Sequence, residues 1–213
     1  MPYILQHTLL FTIHKNYINN FNFFKKCYNS NFITYSLLHF VPILYKRQTL
    51  LIKEDQLIDN VIFISEGRLS LEIAIDLENP INSIKKYLGK NYNPLKIKNN
   101  IDDKLENSYQ GFDESNYQFL NISHIFKNEH FGEVFIIYNK PSPLFLRVKS
   151  KMANIFLLNK KNVIHLSANY VNIWNRLFRK SLKNMVALKK KTIDIVKKYC
   201  IESDLIKASE TLI

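Results

Sequence analysis

The chain holds four glycines among 213 residues, and two of them, Gly67 and Gly132, sit at breaks in apolar runs. Scarce glycines mark backbone positions that other residues enter only at a cost. Gly67 lies between Val61-Ile62-Phe63-Ile64 and the alternating run Leu69-Ser70-Leu71-Glu72-Ile73. That pattern reads as strand, tight turn, strand, a hairpin. Gly132 opens residues 133–139, ahead of Pro141, a stretch that suits one helix of about two turns. A glycine just before a helix start leaves backbone N–H groups with no partner in the helix, an arrangement suited to an anion. A chain with both features is expected to be an α+β fold with a short helix set between strands.

The rest of the chain divides around these motifs. Across residues 3–40, Ile4, Leu5, Leu9, Ile13, Tyr17 and Phe21 recur at three- and four-residue steps, as in short helices. Phe32, Ile33, Leu37, Leu38 and Phe40 form a second apolar face. The period changes at Val41. Residues 49–52, 61–65, 68–76, 117–120, 145–149 and 154–158 are strand-like. Residues 77–116, rich in Asn, Lys and Asp and carrying Pro80 and Pro94, read as an exposed, mobile insert with a helical turn at 83–88. Asn159 or Asn162 caps a short helix to Leu166, and a long helix runs from about Tyr170 to Cys200. Its apolar members include Trp174, Leu177, Met185, Leu188, Ile193 and Val196. The expected divisions are a helical linker at 1–40, a β unit at 41–166, C-terminal helices at 167–200 and a tail at 201–213.

Charge and composition exclude several classes. A net charge of +12 favours anionic partners: a phosphorylated ligand, a membrane surface or nucleic acid. Nucleic acid is the weakest of these, because the Tyr and Phe residues form no stacking-platform motif. Cys27 and Cys200 are too few for a disulfide framework, and reduced thiols are the simpler reading. The longest apolar stretch, residues 32–45, is too short and too polar to span a bilayer, and the N-terminus has no signal-peptide pattern. No GxSxG, P-loop or dinucleotide fingerprint is present, so the chain reads as non-enzymatic. His130 and Glu133, three residues apart, suggest at most a weak metal pair.

Both motifs in this order resemble the cyclic nucleotide-binding domain family. Residues 61–72, Val-Ile-Phe-Ile-Ser-Glu-Gly-Arg-Leu-Ser-Leu-Glu, look like its strand-Gly-strand element. Phe131-Gly132-Glu133 looks like the start of its phosphate-binding cassette. Phe23-Phe24-Lys25-Lys26-Cys27 and Phe32 resemble the helices that precede the roll in channel-type members. Residues 142–150, with Trp174 and Ser181, are most similar to protozoan cation-channel members. The resemblance covers about residues 20–76 and 117–200. It implies an antiparallel, jelly-roll-like β-roll with an internal cassette helix, flanked by N-terminal helices and a C-terminal lid helix. It implies cAMP or cGMP as ligand and no other cofactor. It also implies a channel pore domain as partner, in cis or in trans, a homotetramer through the N-terminal helices, and a place on the cytoplasmic side of a membrane.

Carried over residue by residue, the resemblance assigns Phe131, Gly132, Glu133 and Val134 to the ligand. Backbone N–H groups of Glu133 and Val134 would meet the phosphate, and Glu133 would accept the ribose 2′-OH. Ligand would draw the lid helix over the base, with Ile193 and Val196 as contacts. The chain departs from the pattern where the family has its phosphate-pairing arginine: that slot falls on Pro141 or Ser142. The nearby Lys140, Ser142 and Arg147 complete the candidate set. Arg147 reads first as a solvated strand residue, and Lys140 reads equally well either way. Glu54-Asp55 stands where a turn glycine usually sits. Two functions follow: a nucleotide-sensing regulatory domain, or a degenerate copy of the fold that acts as an interaction domain.

Overall fold

The computed structural model describes residues 5, 8, 9, 12, 20–25, 27, 29–88 and 114–203. Most of the apolar repeat across residues 4–17, the centre of the 77–116 insert and the tail beyond residue 203 lie outside the described residues. Among the described residues, eight strands make two four-stranded antiparallel sheets. The first contains β1 (Val41–Lys46), β8 (Met152–Asn159), β3 (Asn60–Glu66) and β6 (His130–Phe131), in that order. The second contains β2 (Leu50–Ile52), β7 (Phe145–Val148), β4 (Arg68–Asp76) and β5 (Tyr117–Phe126). The α-helices that lie in full among the described residues are α1 (Ser30–Leu38), α2 (Pro80–Leu88), α3 (Glu133–Tyr138), α4 (Lys160–Asn169) and α5 (Val171–Glu202). The expected α+β roll with an internal short helix is the fold observed.

The glycine turn at position 67 needs correcting. β3 and β4 do not pair with each other; β3 lies between β8 and β6, and β4 between β7 and β5. Glu66-Gly67-Arg68 is therefore a corner at which the chain leaves one sheet for the other, not a hairpin. Gly67 has φ +95, and a Cβ there would lie 2.7 Å from the Met152 carbonyl and 2.9 Å from the Ala153 Cα. The corner is closed tightly against β8, and only glycine fits it. Pro42 explains the place of β1, since a residue without an N–H belongs on an edge strand, and β1 is an edge.

The core between the sheets is built from branched residues of β3, β4 and β8, including Ile64, Leu69, Ile73, Ile155 and Leu158, all at most 1% exposed. Aromatic rings extend it toward the N-terminal segment. Phe23 packs edge-on to Phe63 at 5.0 Å and to Trp174 of α5 at 6.0 Å. Such pairs add to what area burial alone provides. Asn29 caps α1 by accepting from the Phe32 N–H at 2.9 Å. Of the two candidate caps for α4, Asn159 performs the role, accepting from the Lys161 N–H at 2.9 Å. Both cysteines are buried and free. Among the described residues no helix is long and apolar enough to cross a membrane.

The start of the insert is more ordered than its composition suggests. The helical turn expected at 83–88 is a nine-residue helix, α2, that packs on β4 and α5. Its anchor is polar. Lys86 Nζ lies 2.9 Å from Glu54 Oε1 and 3.0 Å from Asp55 Oδ2, and the Tyr87 hydroxyl donates to Glu54 at 2.9 Å. Burial alone would favour a neutral Lys86, but Glu54 and Asp55 outweigh it and keep the ammonium charged. Asp55 takes the left-handed φ of 63° itself, which explains how the turn does without glycine.

Candidate functional site

β6 delivers the cassette to the site. Phe131 pairs with Ile62 of β3, and the chain then turns at Gly132, whose φ is +115. A Cβ at Gly132 would lie 3.1 Å from the Asn60 carbonyl, so the turn is pressed against β3. α3 follows, with Val134, Phe135 and Ile136 buried and Phe131 against Phe135 at 5.5 Å. Asn139, in the left-handed region at φ 49, ends the helix by donating back to Ile136. The first-turn N–H groups of this helix have no backbone acceptor within it, and that of Glu133 is turned to its own carboxylate.

Glu133 is the buried charge at the centre, 4% exposed. The Ser181 hydroxyl of α5 donates to its Oε1, and His130 Nε2 lies 3.2 Å from the same oxygen. Burial pushes the Glu133 carboxyl up. The electrostatic pull of His130 and the hydrogen bonds from His130 and Ser181 outweigh that, holding it below the usual carboxylate range. His130 and Glu133 are therefore hydrogen-bond partners three residues apart. No group of three metal-ligating side chains occurs among the described residues.

Beside this cluster is a cavity of about 360 Å³. One wall is Phe131–Phe135 with Leu71 of β4 and Ser123, His124 and Ile125 of β5. The other is α5, through Lys180, Ser181, Asn184, Met185, Leu188 and Lys191. Lys191 Nζ is 3.5 Å from the Ser123 hydroxyl, and Tyr138 of α3 meets Phe178 of α5 at 5.3 Å. The lid helix therefore spans the cavity and grips both sides.

Of the nine candidate residues, Phe131, Gly132, Glu133 and Val134 line the cavity, whereas Lys140, Ser142, Arg147, Ile193 and Val196 do not. Ser142 is fully buried and satisfied locally: its hydroxyl donates to the Leu144 carbonyl at 2.7 Å. Its backbone accepts from Asp55 and donates to Gln56, tying the cassette to the β2–β3 turn. Lys140 is half-buried beyond the helix end. Arg147 is not the solvated residue the sequence suggested. It is 6% exposed, with Nε 3.1 Å from Glu72, a second nitrogen 3.0 Å from Glu114, and its guanidinium over the Phe119 ring. Along α5 the cavity is met by residues 180–191, so Ile193 and Val196 fall just past it. The sequence also left out Lys180, Lys191, His124 and Met185 as lining residues, and Ser181 as the partner of Glu133.

No family model matches the sequence, and no curated protein matches it. Solved structures do match in fold. One is the regulatory domain of Toxoplasma gondii PKA in complex with cAMP, with a TM-score of 0.54 over 83% of this chain. The identity is 9%, and the match covers 51% of that protein's chain, so this chain spans about half its length. The fold is that of cyclic nucleotide-binding domains. The likeness carries the architecture and not the ligand.

Proposed function

We propose that the chain is a non-catalytic regulatory domain that senses a cyclic nucleotide and passes the event to an attached effector. The observation that carries this reading is the meeting of Phe131–Val134 with a covered cavity whose opposite wall is the C-terminal helix. A cyclic nucleotide offers one phosphate charge, a ribose hydroxyl and a flat base. The backbone at Glu133 and Val134 suits the phosphate, the Glu133 carboxylate suits the hydroxyl, and Leu71, Ile125, Met185 and Leu188 suit the base. Lys180 and Lys191 at the cavity rim supply positive charge in place of the arginine whose slot falls on Pro141 or Ser142.

The route outward runs through α5. Trp174 of that helix packs on Phe23, so a shift of α5 is felt by the N-terminal segment. We assign to that segment the role of a linker to a cation-channel pore, in cis or in trans, on the cytoplasmic side of a membrane, with tetramer contacts through the N-terminal helices. The support for this finer assignment is the resemblance of residues 21–45 and 142–150 to channel-type members. The self-satisfied Ser142 favours a second reading, an interaction domain with a vestigial cassette. Loss of a charge-assisted bond costs about 1.5–3 kcal/mol, or roughly tenfold to a hundredfold in affinity. Calorimetric titration with cAMP and cGMP separates the two. Measurable binding by either nucleotide is expected; no heat and no thermal shift at roughly millimolar nucleotide would establish the vestigial reading.

A further inference from the structure

The reach of Glu133 sets a condition on any ligand. The residue is 4% exposed, and Ser181 of α5, which lines the same cavity, is hydrogen-bonded to its carboxylate. Both lone pairs of Glu133 Oε1 are in use, by Ser181 and by His130, so a ligand hydroxyl gains this oxygen only by displacing one of them. We propose that Ser181 is a built-in substitute for the ligand hydroxyl: it latches α5 to the cassette, and a ligand must displace it from Glu133 to bind. This rests on reading the cavity as the nucleotide site. It also reverses the expected motion. Instead of drawing the lid helix inward, ligand exchanges one hydroxyl for another and releases the helix from the cassette.

The geometry makes the exchange inexpensive. Ser181 Oγ also lies 3.3 Å from the Leu177 carbonyl one turn back on its own helix. A serine hydroxyl in a helix can donate to that carbonyl, so on release it is not left without an acceptor. Glu133 meanwhile keeps His130 at 3.2 Å and gains the ligand hydroxyl. α5 also meets Tyr138 of α3 through Phe178 and Ser123 of β5 through Lys191, and neither contact needs Ser181. The element so biased is the helix whose Trp174 touches the N-terminal segment.

The test compares the full chain with its Ser181→Ala and Ser181→Thr variants in two measurements. Hydrogen exchange across α5 is read first, with no nucleotide added, and calorimetry with cAMP and cGMP second. The latch predicts that S181A exchanges at least tenfold faster over the 177–191 turns and binds nucleotide about tenfold more tightly, since a charge-assisted hydrogen bond no longer competes. S181T keeps the hydroxyl and is expected to match the unmodified chain in both. Equal exchange in S181A, or equal or weaker binding beside a binding-competent parent, overturns the latch. If no variant binds nucleotide while S181A still exchanges faster, the hold of Ser181 on α5 stands and the nucleotide reading fails.

Discussion

At the residue scale, a polar side chain in an apolar stripe proves more informative than a charged one on a strand. Trp174, Leu177, Ser181, Met185, Thr192, Val196 and Cys200 are the buried positions along α5. Ser181 breaks that stripe at helical spacing, and a buried hydroxyl needs a partner. The signal was legible in the sequence, but its partner 48 positions away was not. Arg147 is the converse case. A cation between apolar neighbours on a strand resembles a solvated residue until the fold brings Glu72 and Glu114 to it. Glu72 is 1% exposed and also accepts from Ser70 and Lys149, so the cluster is a buried network in which one guanidinium nitrogen of Arg147 is left without a hydrogen-bond partner among the described residues. Removing one partner of such a network strands the other charges. Arg147→Met is expected to lower stability by about 3 kcal/mol in denaturant melts and to leave nucleotide affinity within about twofold. A normal melt with binding lost would return Arg147 to the site.

At the element scale, the sequence predicted types well and partners poorly. The long C-terminal helix and the short helix after Gly132 follow from apolar spacing and from glycine chemistry, both local. The corner at Gly67 could not be told from a hairpin, because φ > 0 between two strands serves both and only the pairing decides. β5 runs to Phe126, past the expected end at 120, because pairing with β4 carries it through the polar residues Asn121, Ser123 and His124. The docking of α5 is open to an acid titration. A carboxyl held below its ordinary range stabilises the fold above that range, and the contribution is lost as pH falls through the lowered value. For Glu133 the loss therefore begins below about pH 4.5, the ordinary value for Glu. The single tryptophan, Trp174, is 4% exposed on α5 and reports it. Its emission is expected to shift red below that pH, with a smaller acid-dependent change in Glu133→Gln. An unchanged acid transition in the variant would mean that Glu133 does not hold the helix.

At the scale of the whole molecule, the order of helices, roll and lid was legible because each step changes the local period. The position of the cavity wall was not. It depends on where a 32-residue helix, about 48 Å long, crosses the roll, and the contacts fall on residues 180–191, N-terminal to the expected 193–196. The cations divide in the same way: Lys180 and Lys191 reach the cavity rim, while Arg179, Lys183, Lys197 and Lys198 lie exposed along the helix. What unites the molecule is a pocket closed by its own C-terminal helix against a glycine-led turn. Amide chemical-shift mapping of the labelled chain during titration with cAMP or cGMP tests this most directly. The largest changes are expected on Phe131–Val134 and on residues 180–191 together. Changes centred on Arg147 and Lys149, or no changes at saturating nucleotide, would contradict it.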